Sequence, residues 1–223
     1  MPSETPGAIE RFVDGHSAKE LHNPESVLEA IKRVRICDPA CGSGAYLLGM
    51  LQELLALRTC LFAEHRIGPD DVYKRKLAII QDNLYGVDID QFAVNIARLR
   101  LWLSLIVDYT GATPPPLPNL DFKIERGDSL TAPAPRGTRQ LELGGSLLPD
   151  YLEAKNRFAD AHSEEKRALR IEIAALQRDI AVWVHRGVTA IDGFDWGVAF
   201  AEVFSDGGFD IVLANPTPCA MKR

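Results

Sequence analysis

Four short apolar segments alternate with helical patterns along this chain, and this alternation is the strongest constraint on its fold. The first segment ends at Asp38, the second at Asp88, the third at Glu125 and the fourth at Asn215. We predict that each segment is a buried strand and that amphipathic helices connect them. Strands that alternate with helices form a parallel sheet with helices on both faces. The predicted fold class is therefore α/β, with a doubly wound, mostly parallel sheet.

The composition is typical of a soluble globular protein that folds as one domain. Of the 223 residues, 46% are hydrophobic and 25% are charged. No window holds the roughly 18 uninterrupted apolar residues of a membrane span. The four cysteines form no Cys-x-x-Cys pair and the first residues do not resemble a signal peptide, so we expect a cytoplasmic protein without a metal site. The net charge of −6 argues against a broad phosphate-binding surface.

The patterns divide the chain into four parts. Residues 1–22 are polar and weakly patterned and are expected to form an N-terminal tail, while residues 23–149 hold the first three strands. Residues 150–190 are rich in charge and are predicted to form a helical insertion. Residues 191–223 contain the fourth strand, and Trp196 just before that strand is expected to dock the insertion.

Two of the predicted helices carry apolar stripes. The helix after the second strand has a stripe that we expect to face the core, formed by Phe92, Ile96, Leu99, Leu103 and Ile106. The insertion has a narrower seam of the coiled-coil type, formed by Leu169, Ile173, Leu176, Ile180 and Trp183. We expect the insertion to project as a helix or a helical hairpin. Its seam would pack against a domain of the full-length protein that is missing from this chain or, over residues 150–186, against a partner helix.

The segment after the first strand has the features of a ligand-binding loop. Residues 38–44 read DPACGSG and lead directly into an apolar helix. Glycines and small residues let a backbone approach a ligand closely, and a helix N-terminus favours polar or anionic groups. Because an acidic residue ends the strand, a ligand-binding loop is favoured over a simple strand-to-helix turn. Cys37 and Cys41 are interpreted as small apolar fillers and not as metal ligands.

Polar residues also follow the second and third strands. Ligands of open α/β sheets bind beyond the carboxyl ends of the strands, where Asp88 could accept hydrogen bonds from both ribose hydroxyls of an adenosine-containing cofactor. The position by itself does not choose between NAD and S-adenosylmethionine. The loop lacks the Gly-x-Gly-x-x-Gly pattern, however, and Asp88 follows Gly44 by 44 residues where the dinucleotide fingerprint has about 20. Asp128, in a Gly-Asp-Ser turn, could accept a hydrogen bond from an adenine amine.

The order of these motifs resembles a known family. DPACGSG at 38–44, GVDID at 86–90, GDSL at 127–130 and Asn-Pro at 215–216 are similar to motifs of the amino-adenine DNA methyltransferases of restriction-modification systems. The nearest resemblance is to the large Eco57I-like enzymes, which join methylation and restriction in one chain, and it covers most of residues 9–216. It implies a Rossmann-like class I methyltransferase fold with seven strands. The four strands here would then form a sheet that is incomplete after strand 4.

The resemblance also implies a role for each motif. The methionine part of S-adenosylmethionine would be held by Asp38, Pro39, Ala40, Cys41, Gly42, Ser43 and Gly44. Asp88 would bind the ribose and Ile89 would pack on the adenine ring, while the loop of Asp128 and Ser129 would contact the adenine amine. The side chain of Asn215 and the carbonyl of Pro216 would accept hydrogen bonds from the N6 amino group of the target adenine. Double-stranded DNA would be the substrate of the full-length protein, and no membrane would be involved.

The chain departs from this family at the fourth motif. The family motif continues with a second proline and an aromatic residue, whereas this chain reads Asn-Pro-Thr-Pro over residues 215–218. The aromatic residue that stacks on an extruded base is thus missing. We expect the chain to be a truncated piece, or one whose reading frame is shifted from about Thr217, with little methyl transfer of its own.

Two other functions stay open at this point. A methyltransferase that acts on a protein glutamine or an RNA base would use the same Asn-Pro tip. A non-catalytic assembly module would use the seam of the insertion to bind a partner helix. The DPACGSG form of the loop and the long insertion favour the DNA enzymes over both.

Overall fold

The protein is described by a computed structural model over residues 4–65, 72–109, 120–132, 147–161, 163–184 and 194–215. Its sheet has four parallel strands in the order β3-β2-β1-β4. The strands are β1 Ile36–Asp38, β2 Leu84–Asp88, β3 Ile124–Arg126 and β4 Ile211–Val212. This arrangement confirms the predicted α/β fold with an incomplete parallel sheet.

Helices flank the sheet and connect its strands. The helices among the described residues are α1 Pro6–Gly15, α2 Pro24–Arg33, α3 Ala45–His65, α4 Val72–Asp82, α5 Gln91–Ile106, α6 Leu147–Asp160, α7 Ser163–Val184, α8 Trp196–Ala199 and α9 Ala201–Ser205. Local sequence sets several of their starts. The Asn23 side chain accepts a hydrogen bond from the Ser26 amide at 3.1 Å and Pro24 is the first residue of α2, which is a favourable start for a helix.

The first residues form a helix that the sequence analysis did not predict. The Thr5 hydroxyl accepts a hydrogen bond from the Ala8 amide at 3.3 Å and so caps α1. Phe12 of this helix is buried and packs in one cluster with Leu57 and Leu61 of α3. The segment is therefore anchored to the protein by its aromatic side chain, although its composition is that of a solvated tail.

Helix α5 turns the opposite face to the core from the one predicted. Its fully buried residues are Val94, Ala97, Leu101 and Leu105. Phe92 is 72% exposed, and Leu99 and Leu103 of the predicted stripe are also exposed. Both sets of residues repeat at helical spacing, and they lie about 200° apart around the helix because they are offset by two positions. The pattern alone could not decide which of them meets the sheet.

The insertion is a helical hairpin whose seam is covered by this chain itself. Helices α6 and α7 pack along each other, and the buried residues Leu169, Ile173 and Ile180 of α7 share a cluster with Tyr151 and Phe158 of α6. The seam residues that the structure describes are therefore not free to bind a partner helix, as one alternative required, nor a separate domain, as the other required. The side chain of Trp183 lies outside the described residues.

Ion pairs attach this hairpin to the sheet. The carboxylate of Asp121, just before β3, accepts a hydrogen bond from Arg98 of α5 at 2.9 Å and also pairs with Arg170 of α7. One acidic side chain thus joins the helix that follows β2 to the insertion.

Helix α3 is long and apolar enough to cross a membrane by length and composition, over Ala45–Ala63. Within the protein its residues Leu47, Leu51 and Leu54 are buried in the main core cluster, beside β1 and β2. Its residues Leu57 and Leu61 pack with α1 instead, so the buried apolar side chains of α3 are divided between the sheet and the first helix.

Candidate functional site

The loop after β1 places a buried carboxylate next to two glycines. Asp38 is 1% exposed. Its Oδ1 accepts a hydrogen bond from the Ala40 amide at 3.1 Å, whereas its Oδ2 is buried without a hydrogen-bond partner among the described residues. Burial raises the pKa of Asp38, and the nearby Asp88 carboxylate raises it further against the lowering by the Ala40 amide. A buried acceptor without a partner costs free energy, so a ligand with a positive charge or an N–H group would be stabilised here.

The two glycines of this loop adopt left-handed backbone conformations, with φ of +52° at Gly42 and +79° at Gly44. At Gly44 a Cβ atom would lie 3.0 Å from the Cβ of Ala97, so the glycine lets the start of α3 approach α5. At Gly42 the position of a Cβ atom faces open space. The loop therefore leaves backbone accessible at Gly42.

The tip of β2 is joined to this loop by hydrogen bonds. The Oδ2 of Asp88 accepts a hydrogen bond from the Gly42 amide at 2.8 Å, and its Oδ1 accepts one from the Asp90 amide at 2.9 Å. The Cys41 amide donates to the Val87 carbonyl at 2.9 Å. Each carboxylate oxygen has two lone pairs, so Asp88 can still accept hydrogen bonds from a ligand. The first two motifs thus contact each other at this edge of the sheet.

Burial keeps the thiol of Cys41 protonated inside this loop. Desolvation, together with the charges of Asp38 and Asp88, raises its pKa to about 12. A neutral buried thiol is a poor nucleophile, which agrees with a packing role for this side chain.

The loop after β3 lies against the tip of β2. The Gly127 amide donates to the Asp88 carbonyl at 2.9 Å. The Oδ1 of Asp128 accepts hydrogen bonds from the amides of Leu130 at 3.0 Å and Thr131 at 3.1 Å. A hydrogen bond from the Thr131 side chain, followed by those two amides, lowers the pKa of Asp128. The carboxylate is therefore ionised and can act as an acceptor.

Two exposed apolar side chains flank these carboxylates. Ile89 directly follows Asp88, and Leu130 lies two residues after Asp128. Both are well exposed to solvent, although residues of this kind are usually buried. Their position beside the two tips is suitable for packing on a flat aromatic ligand.

Asn215 follows β4 at the same edge of the sheet. Strand β4 pairs with β1 in the register Cys37 to Val212, and the Leu213 amide donates to the Cys37 carbonyl at 2.9 Å. The side chain of Asn215, two residues farther on, is exposed. All four strands are parallel, so the carboxyl ends of β1, β2, β3 and β4 lie along one edge. Pro216, the other predicted catalytic residue, lies outside the described residues.

An aromatic segment before β4 contacts the loop after β3 at this edge. The sequence pattern did not predict these contacts. The Trp196 indole donates a hydrogen bond to the Ser129 carbonyl at 3.2 Å, and the Phe194 ring lies against Gly127. Trp196 was expected to dock the insertion, but it packs in a separate cluster with Phe200. Val198 of α8 packs with the α6 and α7 residues instead. The clustering of aromatic residues near β4 was visible in the sequence, but not the loop that they contact.

Two protein families match this chain. Residues 82–217, more than half of the chain, match the Eco57I restriction-modification methylase family. The chain belongs to this family. Residues 14–110 of this Eco57I-family chain also match the DNA-methyltransferase domain of MmeI.

Three curated relatives share parts of the chain. A type II restriction enzyme and methyltransferase of Methanocaldococcus jannaschii is 37% identical over 162 residues, which are 69% of this chain and 14% of that protein. The adenine-specific methyltransferase PglX of Streptomyces coelicolor is 36% identical over 45% of this chain and 8% of its own length. DNA methyltransferase A of Bacillus subtilis is 30% identical over 36% of this chain and 9% of its own length.

This Eco57I-family chain spans a small part of the length of those relatives, 14% for the archaeal protein. No solved structure matches the chain significantly. The parallel four-stranded sheet agrees with an incomplete α/β methyltransferase fold.

Proposed function

We propose that this chain forms the cofactor-binding part of an S-adenosylmethionine-dependent DNA methyltransferase that modifies the N6 amino group of adenine. The observation that carries the proposal is the contact between the first two motifs. The Gly42 amide and the Asp88 carboxylate lie 2.8 Å apart, beside the unpartnered oxygen of Asp38. Family membership supports the methyltransferase class, and the name of the Streptomyces relative supports adenine.

The residues at this edge fit the chemical groups of S-adenosylmethionine. The cofactor has an ammonium and a carboxylate at one end, a ribose with two hydroxyls, and an adenine ring with an amine. Asp38 Oδ2 would accept a hydrogen bond from the ammonium, Asp88 would accept from the ribose hydroxyls and Asp128 would accept from the adenine amine. Ile89 would pack on the ring. The remaining loop residues Pro39, Ala40, Cys41, Ser43 and Gly44 would shape the methionine end, and Ser129 would hold its loop beside the ring.

Asn215 and Pro216 would act on the target base. The N6 amine of adenine is a poor nucleophile because its lone pair is delocalised into the ring. Two oxygen acceptors directed at its N–H groups would favour a pyramidal nitrogen and stabilise the positive charge that develops there. The loss of one such group typically costs about 2.7–4 kcal/mol in the transition state. The cofactor supplies an activated methyl group when bound, so the chain itself has to orient only the amine.

The Asn-Pro-Thr-Pro sequence at 215–218 weakens the binding of the base in this proposal. A base that leaves the duplex is normally held by stacking on an aromatic residue. Stacking contributes about 1–3 kcal/mol per base, so its absence would weaken target binding by roughly tenfold to a hundredfold. We expect the isolated chain to bind cofactor and to transfer few methyl groups.

DNA as the substrate, a restriction-modification system as the setting and the cytoplasm as the location are part of the same proposal. They are supported by the names of the family and of the relatives. Glutamine and RNA bases as substrates are not favoured by any of those names.

Calorimetric titration with S-adenosylhomocysteine tests the cofactor site. The Asp88→Asn variant keeps the shape of the side chain but removes the negative charge, and its amide nitrogen cannot accept hydrogen bonds. We expect the affinity to fall at least tenfold, as for the loss of a hydrogen bond to a charged group. The matched control is Asp179→Asn at an exposed position of α7, which should bind like the original chain. A folded original chain that binds no ligand would contradict the proposal.

A panel of substrates tests the reaction itself. The chain is incubated with tritiated S-adenosylmethionine and with adenine-rich duplex DNA, RNA or release-factor protein. Transfer is expected to be low and confined to adenine in DNA, and to disappear in Asn215→Ala. Transfer to RNA or to protein would favour the alternative substrates. Strong transfer to DNA would show that the aromatic residue is dispensable.

A further inference from the structure

Two aromatic residues that precede β4, Phe194 and Trp196, contact the loop after β3. The Trp196 indole N–H donates to the Ser129 carbonyl at 3.2 Å, across 67 positions of sequence. A Cβ atom added at Gly127 would lie 2.2 Å from Cγ of Phe194, so the loop backbone rests directly on that ring. These contacts hold the two residues on either side of Asp128.

Residues 127–132, the part of this loop that the structure describes, have few other hydrogen bonds to the rest of the protein. The Gly127 amide bonds to the Asp88 carbonyl, while the carboxylate of Asp128 bonds to residues of the same turn, Leu130 and Thr131. Those bonds within the turn fix the side chain relative to the turn but not relative to the sheet. The position of the carboxylate in the cleft therefore depends on the bond between Gly127 and Asp88 and on where Phe194 and Trp196 place the rest of the turn.

The aromatic segment is rigid enough to serve as a support. The Oδ1 of Asp195 accepts hydrogen bonds from the amides of Gly197 at 2.8 Å and Val198 at 3.2 Å and so caps α8. The ring centroids of Phe194 and Trp196 are 5.0 Å apart in an edge-to-face arrangement, and the Trp196 ring also contacts Phe200. Such aromatic pairs contribute specific geometry in addition to apolar burial.

We propose that Phe194 and Trp196 are positioning residues that make the site selective for a 6-aminopurine. This inference rests on the proposed function, because Asp128 is the acceptor for the amine of the cofactor. An ionised carboxylate accepts a hydrogen bond from an amine at purine C6 but repels a carbonyl oxygen there. The discrimination falls when the carboxylate moves, since a hydrogen bond weakens steeply with distance and angle.

The test compares two ligands on the full chain by calorimetry, S-adenosylhomocysteine and S-inosylhomocysteine, which has a carbonyl at C6. The original chain is expected to prefer the adenosine ligand. The Trp196→Phe variant keeps an aromatic ring but loses the N–H donor. We expect its affinity for the adenosine ligand to fall about two- to tenfold, as for the loss of one hydrogen bond, with little change for the inosine ligand.

Trp102→Phe is the matched control. Trp102 lies on α5 and its buried indole N–H has no hydrogen-bond partner among the described residues, so this exchange removes no hydrogen bond to the loop. The preference between the two ligands should stay as in the original chain. Asp128→Asn should reduce or invert the preference, because an amide can donate to the inosine carbonyl.

The outcomes separate the inference from the proposed function. An equal loss of affinity for both ligands in Trp196→Phe, or an unchanged preference, would overturn the positioning role. If the folded original chain binds neither ligand, the proposed function fails and this inference fails with it. Gly127→Ala is a second variant in case Trp196→Phe does not fold, since its added Cβ would push the loop off Phe194. The same loss of preference is expected in it, and full retention would contradict the role of Phe194.

Discussion

Glu125 is an acidic residue whose burial opposes its ionisation. It lies in β3, and desolvation raises its pKa to about 7 even though the charges of Lys155 and Arg98 lower it. The ordinary value of 4.5 applies to the unfolded chain, so between about pH 4.5 and 7 the unfolded state releases a proton that the folded state retains. The free energy of unfolding therefore falls as the pH rises through this range, with a slope of up to about 1.4 kcal/mol per pH unit.

Urea unfolding between pH 4.5 and 8 measures this dependence. Replacing Glu125 by Gln should remove that decline and leave a flatter profile. The control is Glu10→Gln at an exposed position of α1, which should keep the profile of the original chain. An identical slope in both variants would assign the pH dependence to other groups.

At the same scale, the sequence predicted the polar strand tips but not how they contact one another. Asp38 and Asp88 each end an apolar segment, and this local feature was sufficient to place them at one edge. The indole of Trp196 meets the carbonyl of Ser129 only in three dimensions. No periodicity within a window of the sequence encodes a contact over such a separation.

Helix α5 has two apolar faces, and we expect them to contribute differently to the free energy of unfolding. Leu101 is fully buried, whereas Leu103 is exposed. Removing a buried leucine side chain leaves a cavity and typically costs about 2–5 kcal/mol. We therefore expect Leu101→Ala to lower the free energy of unfolding by that amount and Leu103→Ala to lower it by less than about 1 kcal/mol.

The two leucine variants remove the same atoms from the same helix, so each is the control for the other in urea unfolding. Equal losses would mean that the face with Leu103 is also packed in solution. The sequence predicted that α5 exists, because helical spacing is set by neighbouring residues. Which face of α5 is buried depends on the shape of the sheet on which it packs. The helical spacing carries no information about that shape.

For the whole molecule, the outer edge of β4 determines how the chain behaves at high concentration. Among the described residues no strand pairs with this edge, and Val212 on β4 is 61% exposed. An unpaired apolar strand edge favours association with another chain. We expect Val212→Lys to remain monomeric at several times the concentration at which the original chain associates, as measured by light scattering.

Val107→Lys adds the same charge at an exposed residue just after α5, away from any strand. It should improve solubility less than Val212→Lys does. Equal improvement would mean that net charge controls association, and the edge would then not be responsible. The resemblance stated above implied such an edge, because it implied a sheet that is incomplete after strand 4.

The packing of α1, and of α6 against α7, could not be predicted from the sequence pattern. The seam of α7 had the spacing of a helix that pairs with another helix, but the spacing did not identify α6 as that helix. Likewise, Phe12 finds its partners on α3 through packing that depends on the complete fold.

Strand β2 lies at the centre of the hydrogen bonds that join the loops. Its last two carbonyls, of Val87 and Asp88, accept hydrogen bonds from Cys41 in one neighbouring loop and from Gly127 in the other. The described residues of both loops, next to the strand ends, are thus held in place before any ligand arrives. A small molecule that enters this cleft has little backbone to immobilise, so association loses less conformational entropy than it would with loops that order only upon contact.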